Sequence, residues 1–223
     1  MVNVKGTAIS GRRQYVLRHH GEEKLRAVLA QLKDRDAAKR MEMSVLKSAW
    51  YPFDLFIDLT ETIDRVAGRG DGKLYRAMAG QTAEDDLSTI YKVFFKFLQP
   101  MFIFGKAASV WSAYYTSGKL KATQRAPGDI ELEILEFETP HWAHCESVLG
   151  WAQRSIELTG VKNVRADPNV KLGDTRYVAT EVPVDERAPV IAAYRPLAGK
   201  VVEGYWKELP ADADHPTFAL TPG

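Results

Sequence analysis

The chain has 223 residues, 45% apolar and 26% charged, with 30 Lys and Arg against 29 Asp and Glu and a formal net charge of +1. That balance lies outside the low-hydrophobicity, high-charge regime of disorder, leaves length for one or two compact domains, and supplies no large field to attract nucleic acid or anionic lipid. The single cysteine forms no internal disulfide, the first residues lack the apolar core of a signal sequence, and no apolar run reaches the roughly 20 residues of a membrane span, so a cytoplasmic setting is expected.

In chain order, His19 and His20 fall in a polar loop ahead of the first surface helix, where Leu25, Val28, Leu29 and Leu32 recur at helical spacing. An apolar stretch at Met41, Met43, Val45 and Leu46 leads to Trp50-Tyr51-Pro52, where proline ends or bends the helix. Phe53, Phe56, Leu59, Ile63 and Val66 form the next stripe, with Gly68 as a left-handed closing residue. The glycine-rich run 68–72 is a connector, because no buried strand precedes it and no lysine with a hydroxyl follows, as a phosphate loop requires. A short helix then ends at Gly80, and Thr82 to Asp85 cap a new helix carrying Leu87, Ile90, Tyr91, Phe94, Phe95 and Leu98. Beyond Pro100, Val110, Trp111, Tyr114 and Tyr115 continue an aromatic helix that closes at Ser117-Gly118.

From Lys119 the period becomes alternating. Residues 119–125 and 130–138 predict a hairpin around Pro127-Gly128, with Ile130, Leu132 and Ile134 on one face and Glu131 and Glu133 on a solvated one. The parity reversal at Leu135 and Phe137 suggests a bulge. A helix from about His141 to Leu158 follows, then a second hairpin, 164–172 with 175–182, turning at Gly173-Asp174. A tail helix over 185–209 has a broad apolar face that requires a cover: the module's own sheet, the cavity, or a second subunit in a homodimer. The expected fold class is α+β, with N-terminal helices packed on a small antiparallel sheet and a C-terminal helical tail.

The phrases AWYPFDLFIDLTETID, GRGDGKLYRAMAG, DLSTIYKVFFKFLQPMF, VWSAYYTSGKL and CESVLGWAQRSIEL resemble a largely myxobacterial group related to the 4-vinyl reductase-like and heme nitric-oxide-binding-like sensor domains. The resemblance covers about residues 5–160 and implies a dimeric ligand-sensing module with an aromatic-walled cavity between helices and sheet. In zinc-containing relatives a late-helix cysteine joins an acidic residue and two hairpin cysteines; Cys145 and Asp167 match the first two, but Val170 and Tyr177 occupy the others. Heme-binding relatives use a helical histidine and a tyrosine–serine–arginine motif, of which this chain offers only Tyr115-Thr116-Ser117-Gly118. Residues 161–223 resemble the C-terminal end of deazaflavin-dependent nitroreductase-family proteins, which places a seam near residue 160 between a sensor-like module, 1–160, and a closing hairpin with tail, 161–223.

The common catalytic templates are missing. His141, His144 and Cys145 are the densest group of metal-capable side chains; helical spacing puts them on one side, but three ligands from a single turn rarely converge on one ion. The resulting expectation is a non-catalytic domain that binds a small apolar molecule among Trp50, Phe56, Tyr91, Phe94, Phe95, Trp111 and Tyr114. Two alternatives stay open: a deazaflavin- or flavin-linked oxidoreductase, suggested by the tail, and a structural dimerisation module. No cofactor is predicted; heme, zinc and deazaflavin are the groups to test.

Overall fold

In a computed structural model of the protein, the described residues are 1–91, 105, 107–126, 128–169 and 217–222. Strand β1 (Asn3–Lys5) pairs antiparallel with β2 (Trp50–Pro52), and between them run α1 (Gly6–Leu29) and α2 (Arg35–Met43). Helices α3 (Phe53–Ala67), α4 (Lys73–Tyr91) and α5 (Ala107–Tyr114) precede the β3–β4 hairpin (Lys119–Ala126 and Asp129–Leu135). Helix α6 (Trp142–Glu157) leads to β5 (Val164–Asn169), and β6 (Thr217–Pro222) completes an antiparallel sheet of order β3-β4-β6-β5. The architecture is the expected α+β arrangement. The sheet crosses the seam expected near residue 160, since β6 pairs with β4 (Leu132 opposite Phe218) as well as with β5.

Helix α3 forms as its spacing predicts. Phe56, Leu59 and Ile63 are fully buried, Pro52 stands at the N-cap, and Asp58 turns inward to accept the Lys33 amide at 2.8 Å. Its end differs from expectation. Gly68 is extended rather than left-handed, because Asp64 grips the loop, accepting from the Gly72 amide at 2.7 Å and the Leu74 amide at 3.3 Å; positive φ falls at Gly70 and Gly72 instead.

Four other expectations are corrected by the tertiary structure. His19 and His20 are not in a loop: helix begins at Gly6, buries Ala8, Ile9, Arg12, Tyr15 and Val16, and kinks only at Gly21, whose φ is +81°. Helix α4 runs unbroken through Gly80 and Thr82. The Thr82 hydroxyl donates to the Met78 carbonyl at 2.9 Å instead of capping a new start. Burial at the α4–α6 contact offsets the roughly 1 kcal/mol that glycine costs inside a helix. The hairpin's register shift lies between Gln124 and Ala126, and β4 ends at Leu135, before a positive φ at Glu136. Glu131 and Glu133 are buried rather than solvated, ion-paired with Arg125 and Lys121 respectively. The tail helix over 185–209 and the strand expected at 175–182 lie outside the described residues; the described partner of β5 is β6.

The core is continuous from the α1–α3 contact through α4 and α6 to the inner face of the sheet, where Ile130, Leu132 and Ile134 are buried as their alternation requires. Among the described residues no helix is long and apolar enough to cross a membrane.

Candidate functional site

A cavity of about 60 Å³ lies between α1, α3, α4, α5, α6 and the start of β3. Phe56, Trp111, Tyr114 and Tyr115 supply aromatic wall, and Val148, Trp151 and Ala152 line it from α6. Of the residues expected around a ligand, Phe56, Trp111 and Tyr114 are there. Trp50 is not. It is 43% exposed on β2, with the Lys5 ammonium 4.2 Å from its ring centroid, since the short edge strand turns it outward. Phe94 and Phe95, and the side chain of Tyr91, lie outside the described residues.

Two of the aromatic wall residues are held by polar tethers. The Trp111 indole N–H donates to the Ser117 carbonyl at 2.7 Å, and the Tyr114 hydroxyl donates to the Asp86 carboxylate. Burial, reinforced by Asp86, pushes the Tyr114 phenol far above its ordinary pKa, so it remains a neutral donor. Tyr115 is driven the same way by burial, partly countered by Arg12.

Arg12 is the residue that sequence reasoning missed. It lies on the cavity wall, only 2% exposed, with its guanidinium 4.9 Å from the Phe56 ring centroid. Its Nε donates to Thr60 Oγ1 at 3.2 Å and its Nη2 to Ser147 Oγ at 2.7 Å. Both hydroxyl hydrogens are committed elsewhere: Thr60 donates to the Phe56 carbonyl and Ser147 to the Ala143 carbonyl, each at 2.7 Å. Two neutral oxygens therefore hold the cation, and no carboxylate pairs with it among the described residues. Desolvation lowers its pKa to about 10, so it stays charged at neutral pH. The signal was present in AISGRRQYV, where Ala8, Arg12, Tyr15 and Val16 share a helical face.

The metal-capable group does not converge. His141 is the N-cap of α6 rather than part of its first turn; its Nδ1 accepts from the Ala143 amide at 3.1 Å, leaving Nε2, 3.4 Å from Glu61 Oε1, to carry the proton. His144 sits in a box of rings, its centroid 5.1 Å from Phe53, 4.8 Å from Tyr115 and 4.9 Å from Phe137, and its Nε2 has no hydrogen-bond partner. Cys145 is a buried thiol. Among the described residues no group of three or more His, Cys, Asp or Glu could hold a metal ion.

No family model matches the chain, and no curated protein matches it. Solved structures do. An Fe(II) unliganded H-NOX protein from K. algicida aligns with TM-score 0.58 at 9% identity, covering 98% of this chain and 96% of its own. A mutant of the T. tengcongensis H-NOX aligns with TM-score 0.59 at 11% identity over 97% and 96%. An oxygen-binding H-NOX domain related to soluble guanylate cyclases aligns with TM-score 0.57 at 10% identity over 97% and 94%. At such identities the likeness is one of fold. The nitroreductase-like reading of residues 161–223 finds no support among these matches.

Proposed function

We propose that this protein is a non-catalytic domain that binds and senses a small molecule in the cavity between its helices and sheet. The carrying observation is the aromatic-walled cavity itself, lined by side chains from five helices, with Trp111 and Tyr114 tethered in its wall, and bordered by no catalytic constellation among the described residues. The H-NOX-like fold supports a sensing role, and the homodimer and cytoplasmic setting expected from the sequence belong to the same proposal.

Heme distortion is a theme of the H-NOX family, but the described residues do not fit a heme. Among the described residues no histidine or cysteine lines the cavity. His144 is enclosed by rings, Tyr114 is spoken for by Asp86, and residues 92–104 contain no histidine. About 60 Å³ is also far below the roughly 300–1,000 Å³ of sites that take drug-sized ligands. A smaller guest is indicated.

Xenon tests the cavity without invoking any particular ligand. Xenon NMR of the full chain is expected to show saturable binding, which Ala152→Val, adding two methyl groups to the wall, weakens at least fivefold. Ala152 is buried in helix α6, and the two added methyl groups are expected to cost at most about 1–3 kcal/mol of stability. Unsaturable xenon shifts in the wild type would end the reading.

A further inference from the structure

We propose that the cavity takes a short-chain monocarboxylate, with its carboxylate on the Arg12 guanidinium and its alkyl chain against Phe56, Trp111, Val148 and Trp151. The proposal rests on the small-molecule reading of the same cavity and adds the chemical class of the guest. Three observations carry it. The first is charge: Arg12 is a buried cation whose two described hydrogen bonds go to neutral hydroxyls, although burying an unpaired charge is strongly unfavourable. Because Thr60 and Ser147 spend their own hydrogens on helix carbonyls, they orient the guanidinium without neutralising it.

The second is reach. Nη1 has no hydrogen-bond partner among the described residues, and Arg12 and Ser147 both line the cavity, so an acceptor placed there meets an uncommitted donor of a planar fork suited to carboxylates. The third is size. One water needs about 10–15 Å³ of such space, so the cavity of about 60 Å³ has room for about four to six groups of that size. Acetate, propionate and butyrate have that many heavy atoms. The wall beyond Arg12 is mostly carbon, which favours a chain over a second charged group.

Sodium propionate and sodium butyrate, compared with propionamide, butyramide and sodium chloride at equal ionic strength, test this on the full chain by thermal shift and by displacement of xenon. The acids are expected to displace xenon at concentrations at least tenfold below their amides, and decanoate to fail for lack of room. Arg12→Met is expected to abolish the preference for acid while keeping amide and xenon binding. If that variant does not fold, the wild-type comparison of acid with amide decides alone. Equal binding of acid and amide would overturn the carboxylate assignment and leave Arg12 a structural cross-link between α1, α3 and α6, with the cavity reading intact. Xenon binding that neither acid nor amide displaces would overturn it too. Absence of xenon binding would overturn the cavity reading itself.

Discussion

His144 shows how a residue's chemistry is set by what surrounds it. On a helical wheel it is a metal-capable side chain beside His141 and Cys145; in the fold it is a neutral imidazole boxed by Phe53, Trp111, Tyr115 and Phe137. Burial holds its pKa down to about 3, with His141 and Arg12 pushing the same way, and burial also lowers His141 to about 4. The sign follows directly. The unfolded chain takes up a proton on each as pH drops below about 6.5, while the folded chain refuses it until pH 4 to 3, so this stability is whole above pH 6.5 and is lost on acidification. For His144 alone the loss at pH 5 is about 2 kcal/mol. Urea denaturation is expected to show a decline from pH 7.5 to 5 that His144→Phe makes about half as steep, His141 supplying the rest; an equally steep decline in the variant would place the proton uptake on other groups.

Between elements, the decisive contact is backbone against backbone where α4 crosses α6. A Cβ on Gly150 would come within 2.4 Å of the Arg76 carbonyl oxygen and 2.5 Å of its Cα, neither of which can swing aside. A Cβ on Gly80 would meet the Arg154 Cβ at 3.5 Å, an ordinary contact. Gly150→Ala is therefore expected to cost about 1–3 kcal/mol through overpacking, whereas Gly80→Ala is expected to be neutral or to gain up to about 1 kcal/mol from helix propensity. Urea midpoints of the two variants check the contrast, and equal effects would mean that the crossing is looser than described. The same approach lets Arg76 pair with buried Glu146 on α6 while its Nη1 donates to the Ala166 carbonyl of β5 at 2.6 Å, tying two helices to the sheet edge.

Across the whole molecule, the last described strand closes the sheet. Strand β6 lies between β4 and β5 and pairs with both, so residues more than 80 apart in sequence share one ladder. Truncation after residue 216 is expected to leave β4 and β5 without their common partner. Their unsatisfied backbone groups and the uncovered apolar face should abolish cooperative thermal unfolding and raise binding of a surface-hydrophobicity dye. Circular dichroism melts of the truncated and full chains make the comparison. An unchanged melting temperature would mean that the helices and the β3–β4 hairpin close a domain without β6.

Much was legible along the chain because it is written in local periodicity. The α3 stripe, the β3–β4 hairpin, the span of α6 and the α+β class follow from spacings of 3.6 and 2 with proline and glycine at the boundaries. Likewise, aromatic density together with the family resemblance points to Phe56, Trp111 and Tyr114, which line the cavity. Three things were decided only in three dimensions. Helix α1 begins at Gly6 because its mixed face of Ala8, Arg12 and Tyr15 finds burial against neighbours far along the chain. Trp50 faces outward because a two-stranded edge leaves it little to pack on. Arg12 becomes a buried cation at a cavity because Thr60 and Ser147, 48 and 135 residues away, come together around it. Local spacing reports which face of an element is apolar; which distant side chains meet there is set by the tertiary contacts that bury them.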